Sequence, residues 1–213
     1  MKILNNPVRG AIPVKFPFGS IYQLYGENID LYLKAISSRG HNGIDIAMSE
    51  GTPILASEGE VVEVKDTPTG YGKHIRILTD PDEQGVYYEL VFGHLKDIFV
   101  KIGMGVRNGQ EIATMGNTGF VISGNTPYWN TAPAGKGVHL HFGVRECNLK
   151  DTGFITTYSS GKTAYIKNYT NGLFGGIDPQ LFIEVSDEFA LRLKVGFLSQ
   201  ILSLLKKLYV KIS

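Results

Sequence analysis

The sequence predicts a mostly β protein, an antiparallel β-sheet core followed by a C-terminal α-helix. Three observations carry that reading. Short apolar runs with strand-like alternation recur along the main body, each cut by Gly, Asn or Pro. The chain of 213 residues holds 26 glycines and is 43% hydrophobic, so it has the turn formers for many short strands and the apolar content for a buried core. Beyond residue 186 the pattern changes, and Leu198, Ile201, Leu205, Leu208 and Ile212 recur at alternating helical spacings. The chain therefore divides into a lead-in (1–18), a main domain (19–184) and an amphipathic C-terminal helix (185–213).

In the lead-in, Pro7, Pro13 and Pro17 forbid a helix interior, and Ser20-Ile21-Tyr22-Gln23-Leu24-Tyr25-Gly26 alternates well enough for a first strand. Residues 28–38 suit one or two helical turns ending in Ser37-Ser38-Arg39-Gly40. A strand starts at Ile44, after the turn dipeptide Asn42-Gly43. Residues 51–64 read as two short strands around Glu58-Gly59. The run Lys73-His74-Ile75-Arg76-Ile77-Leu78 follows the Gly70-Tyr71-Gly72 turn and forms a hairpin with residues 86–94, closed by residues 80–85. His74 has no ligand-like neighbour and is assigned to the sheet. Residues 100–112 are expected to supply another hairpin, with Gly103, Gly105 and Asn108-Gly109 as turns. Gly116-Asn117-Thr118-Gly119 ends that run, and residues 120–136 form a long loop carrying Tyr128 and the only tryptophan, Trp129. Exposed aromatics there would wall a substrate groove; a hairpin packing its own aromatics is the alternative. Residues 148–176 are polar and suit a hairpin or ordered loops, and Ile177-Asp178-Pro179-Gln180-Leu181-Phe182 closes the main domain.

Composition removes several functions. Cys147 is the only cysteine, so an intrachain disulfide and a Cys-rich metal site are both excluded. The net charge is +1 and the basic residues gather in the tail, so the main body has no nucleic-acid signature. The tail is too charged to span a bilayer; self-association or docking is its expected role, and an anionic surface is the alternative. Met1-Lys2-Ile3-Leu4-Asn5-Asn6-Pro7 breaks after two apolar residues, so no signal peptide is expected.

The chemistry concentrates in Gly137-Val138-His139-Leu140-His141-Phe142. In a strand both imidazoles lie on one face, while Val138, Leu140 and Phe142 lie on the other. Fully extended, His41 and Asp45 of His41-Asn42-Gly43-Ile44-Asp45 would stand roughly 13 Å apart at the backbone, but the Asn42-Gly43 turn can fold them together. His41, Asp45 and one strand histidine would make the three-ligand set of a catalytic zinc site. If His141 completes it, His139 sits one pleat away, beside the bound water, and His94, at a strand end next to Gly93, is a second non-ligand histidine. Such a set supports metal-assisted hydrolysis with an imidazole handling the proton. A closed four-ligand structural site that uses His139 as well is the alternative.

The ordered set Gly40-His41-Asn42-Gly43-Ile44-Asp45-Ile46-Ala47, Gly51-Thr52-Pro53-Ile54, Gly93-His94-Leu95, Gly116-Asn117-Thr118-Gly119 and His139-Leu140-His141-Phe142 resembles the LytM/lysostaphin-type zinc endopeptidases of family M23, which cut peptidoglycan. The resemblance covers about residues 19–146. It implies an antiparallel core of the duplicated-hybrid-motif type with an open groove, and one Zn2+ per chain held by His41, Asp45 and His141. It also implies that His94 and His139 are catalytic and that bacterial peptidoglycan is the partner. Tyr71, Asn117, Tyr128 and Trp129 are candidate substrate contacts. Two features depart from the common pattern: the insertion at 120–136, and Gly143 where many members carry an acidic residue. With no leader expected, the reading points to a phage or prophage lysin acting at the cell wall or periplasm after lysis, through a holin or from a virion. A catalytically silent wall-binding or hydrolase-activating protein is the alternative, and a zinc-stabilised interaction module acting through the C-terminal helix is another.

Overall fold

The computed structural model describes residues 4–17, 19–130, 132–150 and 152–183. The expected helix at 185–213 lies outside the described residues. In chain order the elements are β1 (Ile21–Gln23), α1 (Ile29–Ile36), β2 (Ile44–Ile46), β3 (Pro53–Leu55), β4 (Gly59–Asp66), β5 (Lys73–Thr79), β6 (Tyr87–Gly93), β7 (Leu95–Ile98), β8 (Gly105–Val106), β9 (Glu111–Met115), β10 (Val121–Ser123), β11 (Thr126–Tyr128), β12 (Leu140–Asn148), β13 (Phe154–Thr157), β14 (Thr163–Ile166) and β15 (Gly176–Ile177). Every pairing between these strands is antiparallel.

The main sheet runs β1-β2-β12-β6-β5-β4-β8, with β14 and β15 also on β12 and β13 on β14. The nine-residue β12 is its spine: Leu140, His141 and Phe142 pair with β2 on one side, while His141 through Cys147 pair with β6 on the other. Its alternation explains that position. Leu140, Phe142 and Val144 are fully buried and pack with Phe92, Leu90, Ile75, Ile77, Ile44 and Ile46. The Phe92 and Phe142 rings lie 5.2 Å apart at their centroids. A second, three-stranded sheet, β3-β9-β7, closes this core with Ile54, Ile112, Ala113, Met115 and Leu95. Leu4, Val8 and Ala11 of the lead-in are buried in the same cluster.

The opposite face of the main sheet carries His141, Arg145 and Cys147 from β12, Glu89 from β6, and His74 and Arg76 from β5. In β4 a register shift between Val61 and Glu63 turns Glu63 toward that same set, while Val61 and Val64 stay with the core. Tyr158, at the turn between β13 and β14, covers its far end with Val62, Leu78, Cys147 and Ala164.

One expectation is corrected. Residues 100–112 do not form a hairpin: β8 pairs with Gly59 and Glu60 of β4, and β9 pairs with β3 and β7. The glycine turns at 103 and 109 carry the chain between the two sheets, because Val106 fills the core beside β4 whereas Ile112 and Ala113 fill it from the other layer. Likewise the Glu58-Gly59 turn hands the chain from one sheet to the other. The helical turns, the 73–94 hairpin and the hairpin within 148–176 form as expected.

Candidate metal centre

The β2–β12 register sets Asp45 directly across from His141. Asp45 points to the polar side because Ile44 and Ile46 take the core, and the Asn42-Gly43 turn folds His41 back over it. His41 Nε2 lies 3.1 Å and His141 Nδ1 3.3 Å from Asp45 Oδ1, and the two nitrogens are 2.9 Å apart. All three residues are buried. Despite this crowding, Asp45 Oδ1 has no hydrogen-bond partner. Three donor atoms converge on one point and leave Asp45 Oδ1 without a hydrogen bond, and a metal ion satisfies such a set. Among the described residues this is the one group of His, Cys, Asp or Glu side chains arranged to hold a metal.

The surrounding contacts fix which nitrogen of each imidazole is available. His41 Nδ1 stands 3.3 Å from the Leu24 carbonyl, which accepts its N–H and leaves Nε2 a lone pair toward the site. His94 Nδ1 donates to the Thr118 carbonyl and His139 Nδ1 to the Gly137 carbonyl, each at 2.8 Å, so both leave the Nε2 lone pair facing away from those carbonyls. His139 Nε2 stands 3.7 Å from Asp45 Oδ2, and the His94 and His139 rings are 4.5 Å apart at their centroids. His94 has φ +62, in the left-handed region, at the junction of β6 and β7.

The sequence profile of peptidase family M23 matches residues 39–168, more than half of the chain and spanning every residue of this cluster. The chain belongs to peptidase family M23. It is 35% identical over 112 residues to the glycyl-glycine endopeptidase ALE-1 of Staphylococcus capitis, covering 52% of this chain and 26% of that protein. It is 39% identical over 84 residues to the murein hydrolase activator NlpD of Escherichia coli, covering 39% and 21%. The solved structure of LytU aligns with a TM-score of 0.48 and 26% identity over 79% of this chain and 88% of that one. The chain thus spans no more than about a quarter of the length of these two curated relatives.

Electrostatics in the M23 domain favour the ligating forms of Asp45 and His141. Burial alone would raise the Asp45 pKa, but the His41, His139 and His141 imidazoles hold it well below the usual carboxylate range. Burial, reinforced by neighbouring His41 and His139, lowers His141 to about 4, although Asp45 opposes this. Burial and the adjacent His139 and His141 likewise push His94 well below an ordinary histidine. A neutral imidazole at His141 facing an ionised Asp45 carboxylate suits a divalent cation.

The remaining sequence candidates fall into two groups. Trp129 is 64% exposed and lies tilted by 35° against Phe120, ring centroids 4.1 Å apart, on the hairpin that β10 and β11 form within residues 120–136, with Tyr128 in β11. Tyr71 and Asn117 are tied into the frame. Asn117 Nδ2 donates to the carbonyls of Ala132, Pro133 and Lys136 and so clamps the loop before β12. Tyr71 lies with its ring 4.9 Å from that of His141, and its hydroxyl accepts from Asn42 Nδ2 at 2.9 Å.

Two contributors are not evident from the sequence. Thr118 holds His94 through its carbonyl, while its hydroxyl donates to the Leu95 carbonyl and accepts from the Lys73 N–H, both at 2.9 Å. The Gly-Asn-Thr-Gly string marks the segment but not this clamp. Tyr32 of α1 stacks on His41 at 5.4 Å, and a tyrosine in an eight-residue helix gives no sign of that partner.

Proposed function

We propose that the chain is a zinc-dependent endopeptidase that hydrolyses peptide stems or cross-bridges of bacterial peptidoglycan. The single observation that supports this most is the division of labour among the histidines. His41 and His141, with Asp45, aim their donor atoms at one point, while His94 and His139 beside them keep Nδ1 on backbone carbonyls and turn Nε2 away from them, that of His139 standing 3.7 Å from Asp45 Oδ2. A purely structural site needs the first group and has no use for the second.

His41 Nε2, an Asp45 oxygen and His141 Nδ1 would hold the ion, and zinc, when bound, supplies a Lewis acid that polarises the scissile carbonyl and makes water nucleophilic near neutral pH. The chain's own residues do the rest. His139 takes a proton at Nε2 and returns it to the departing amine, with its tautomer fixed by Gly137. His94, kept neutral by burial and its histidine neighbours, faces the same space from the β6–β7 junction. The exposed Trp129 and neighbouring Tyr128 would flank the peptide beside the metal.

The name of ALE-1 supports peptide hydrolysis, and the name of NlpD marks the competing reading of an activator without catalysis. Incubation of the purified chain with peptidoglycan sacculi, with and without a chelator, separates the two. Release of soluble muropeptides that stops with chelator and returns with zinc supports the enzyme, and mass spectrometry of the products names the bond. Zinc binding without any release of muropeptides would overturn the proposal.

A further inference from the structure

We propose that Tyr71 and Arg145 are positioning residues of the metal centre, which fix the orientation of His141 in place of a hydrogen-bond acceptor on its outer nitrogen. The inference rests on the zinc reading above. A ligating imidazole ordinarily donates its second N–H to a carboxylate or carbonyl, which sets the ring's orientation. His41 has such a partner in Leu24. His141 does not: its Nε2 is buried and makes no hydrogen bond. Gly143, the next residue of β12 on the same face, has no side chain to offer one.

Packing supplies the orientation instead. The Tyr71 ring lies over the His141 ring at 4.9 Å with the planes inclined by 32°. It is seated against Gly93, where even a Cβ would come within 3.3 Å of the phenyl ring. The Tyr71 carbonyl accepts the His94 N–H at 2.7 Å, and its hydroxyl accepts from Asn42 Nδ2 at 2.9 Å, next to His41. One residue thus touches the neighbourhoods of two metal ligands and of His94.

Arg145 holds the hydroxyl end. Its guanidinium contacts the Tyr71 hydroxyl and pairs with Glu89 Oε1 at 3.3 Å. Glu89 is fully buried and is itself fixed by Arg76 Nη1 at 3.1 Å and by the Tyr158 hydroxyl at 2.7 Å. A guanidinium locked in a buried pair presents its remaining N–H groups in a set direction, which a lysine ammonium does not reproduce. The line Tyr158, Glu89, Arg145, Tyr71, His141 therefore runs along one face of the main sheet to the metal centre.

The test uses Tyr71→Leu, Tyr71→Phe, Arg145→Lys and the double variant Tyr71→Phe/Arg145→Lys in the full chain. Zinc affinity is read by competition with a chromogenic chelator, the melting temperature on metal-free protein, and kcat and KM on a soluble muropeptide. Outer contacts of a ligand are worth about 10–100-fold in metal affinity. Tyr71→Leu should lose zinc affinity within that range and lower kcat with KM nearly unchanged. Tyr71→Phe and Arg145→Lys should each lose less, and the double variant should be no worse than Tyr71→Phe, because both act through one hydroxyl. Zinc affinity within about twofold of wild type in Tyr71→Leu would overturn the proposal. So would a lower melting temperature with zinc affinity and kcat per folded molecule intact, or fully additive losses in the double variant. A wild-type chain that binds zinc without cleaving muropeptides would defeat the peptidase reading alone, since the affinity measurements stand without turnover.

Discussion

The Cα of Gly43 lies against the outer edge of the His141 imidazole, so that a Cβ there would stand 2.8 Å from Cε1 and 2.9 Å from Nε2. The same Cβ would meet the Phe142 carbonyl at 2.5 Å. The turn that brings His41 onto Asp45 thus doubles as the surface on which the third donor rests. Gly43→Ala should push the ring off the donor point. We expect a loss of about 1–3 kcal/mol in stability from overpacking, together with weaker zinc binding. Chemical denaturation of metal-free protein and a chelator competition would read the two effects separately.

His141 of β12 and His139, just before it, should separate by phenotype. His141→Ala removes one of three donors and should abolish tight zinc binding. His139→Ala leaves the donor set intact, so zinc stays bound while kcat falls by about 10²–10⁴, the usual worth of a general acid–base group. Metal content measured beside muropeptide release decides it, and a His139→Ala protein that binds no zinc would make His139 a ligand.

Thr118→Val keeps the carbonyl that accepts from His94 but removes the hydroxyl that ties it to Leu95 and Lys73. Lost hydrogen bonds at this site should cost about 1–3 kcal/mol. Turnover should fall with zinc affinity unchanged, because the segment positions His94 and none of the donors. Equilibrium denaturation and steady-state kinetics on the same preparation provide the check.

Acid stability should report on Glu63. Burial would raise its carboxyl, but His74, Lys65 and Arg76 draw it down to about 2 from an ordinary 4.5. A depressed folded-state pKa contributes stability that is fully present above the unfolded value and is lost as pH falls through the folded one. The window is therefore from about pH 4.5 down to about 2. Glu63→Gln should lower stability at pH 7 by on the order of 2–3 kcal/mol and flatten the stability–pH curve across that window. Denaturation midpoints at pH 7, 4 and 3 would show it, and an unchanged slope would remove Glu63 from the acid response.

Chelation should silence hydrolysis without unfolding the domain. The core face of β12, with Leu140, Phe142 and Val144, is packed independently of the donor face. Far-ultraviolet circular dichroism should be preserved after dialysis against a chelator, with only the melting temperature falling as the stabilisation from bound ligand is lost.

Much of the site was legible because it is written in alternation. Val138, Leu140 and Phe142 against His139 and His141 marked which face would be buried from the approach to β12 into its start, and Asn42-Gly43 marked the fold-back that joins His41 to Asp45. Strand pairing across the two layers was not legible. Val106 and Ile112 are equally apolar in sequence, and only the assembled core determines that one lies beside β4 and the other beside β3. The packing role of Tyr71, read from the sequence only as a substrate contact, and those of Thr118 and Arg145 were opaque for a related reason. Their roles depend on partners 24 to 74 positions away, such as His94 for Thr118, His141 for Tyr71 and Tyr71 for Arg145, and local pattern carries no information about those encounters.

Asp45 faces His141 only because Ile46 faces Leu140 and Ile44 faces Phe142. A slip of β2 by one residue would put an isoleucine opposite the imidazole and the carboxylate opposite a core position. On the proposed zinc reading, uptake of the metal with native affinity would report that a chain has paired its central strands correctly.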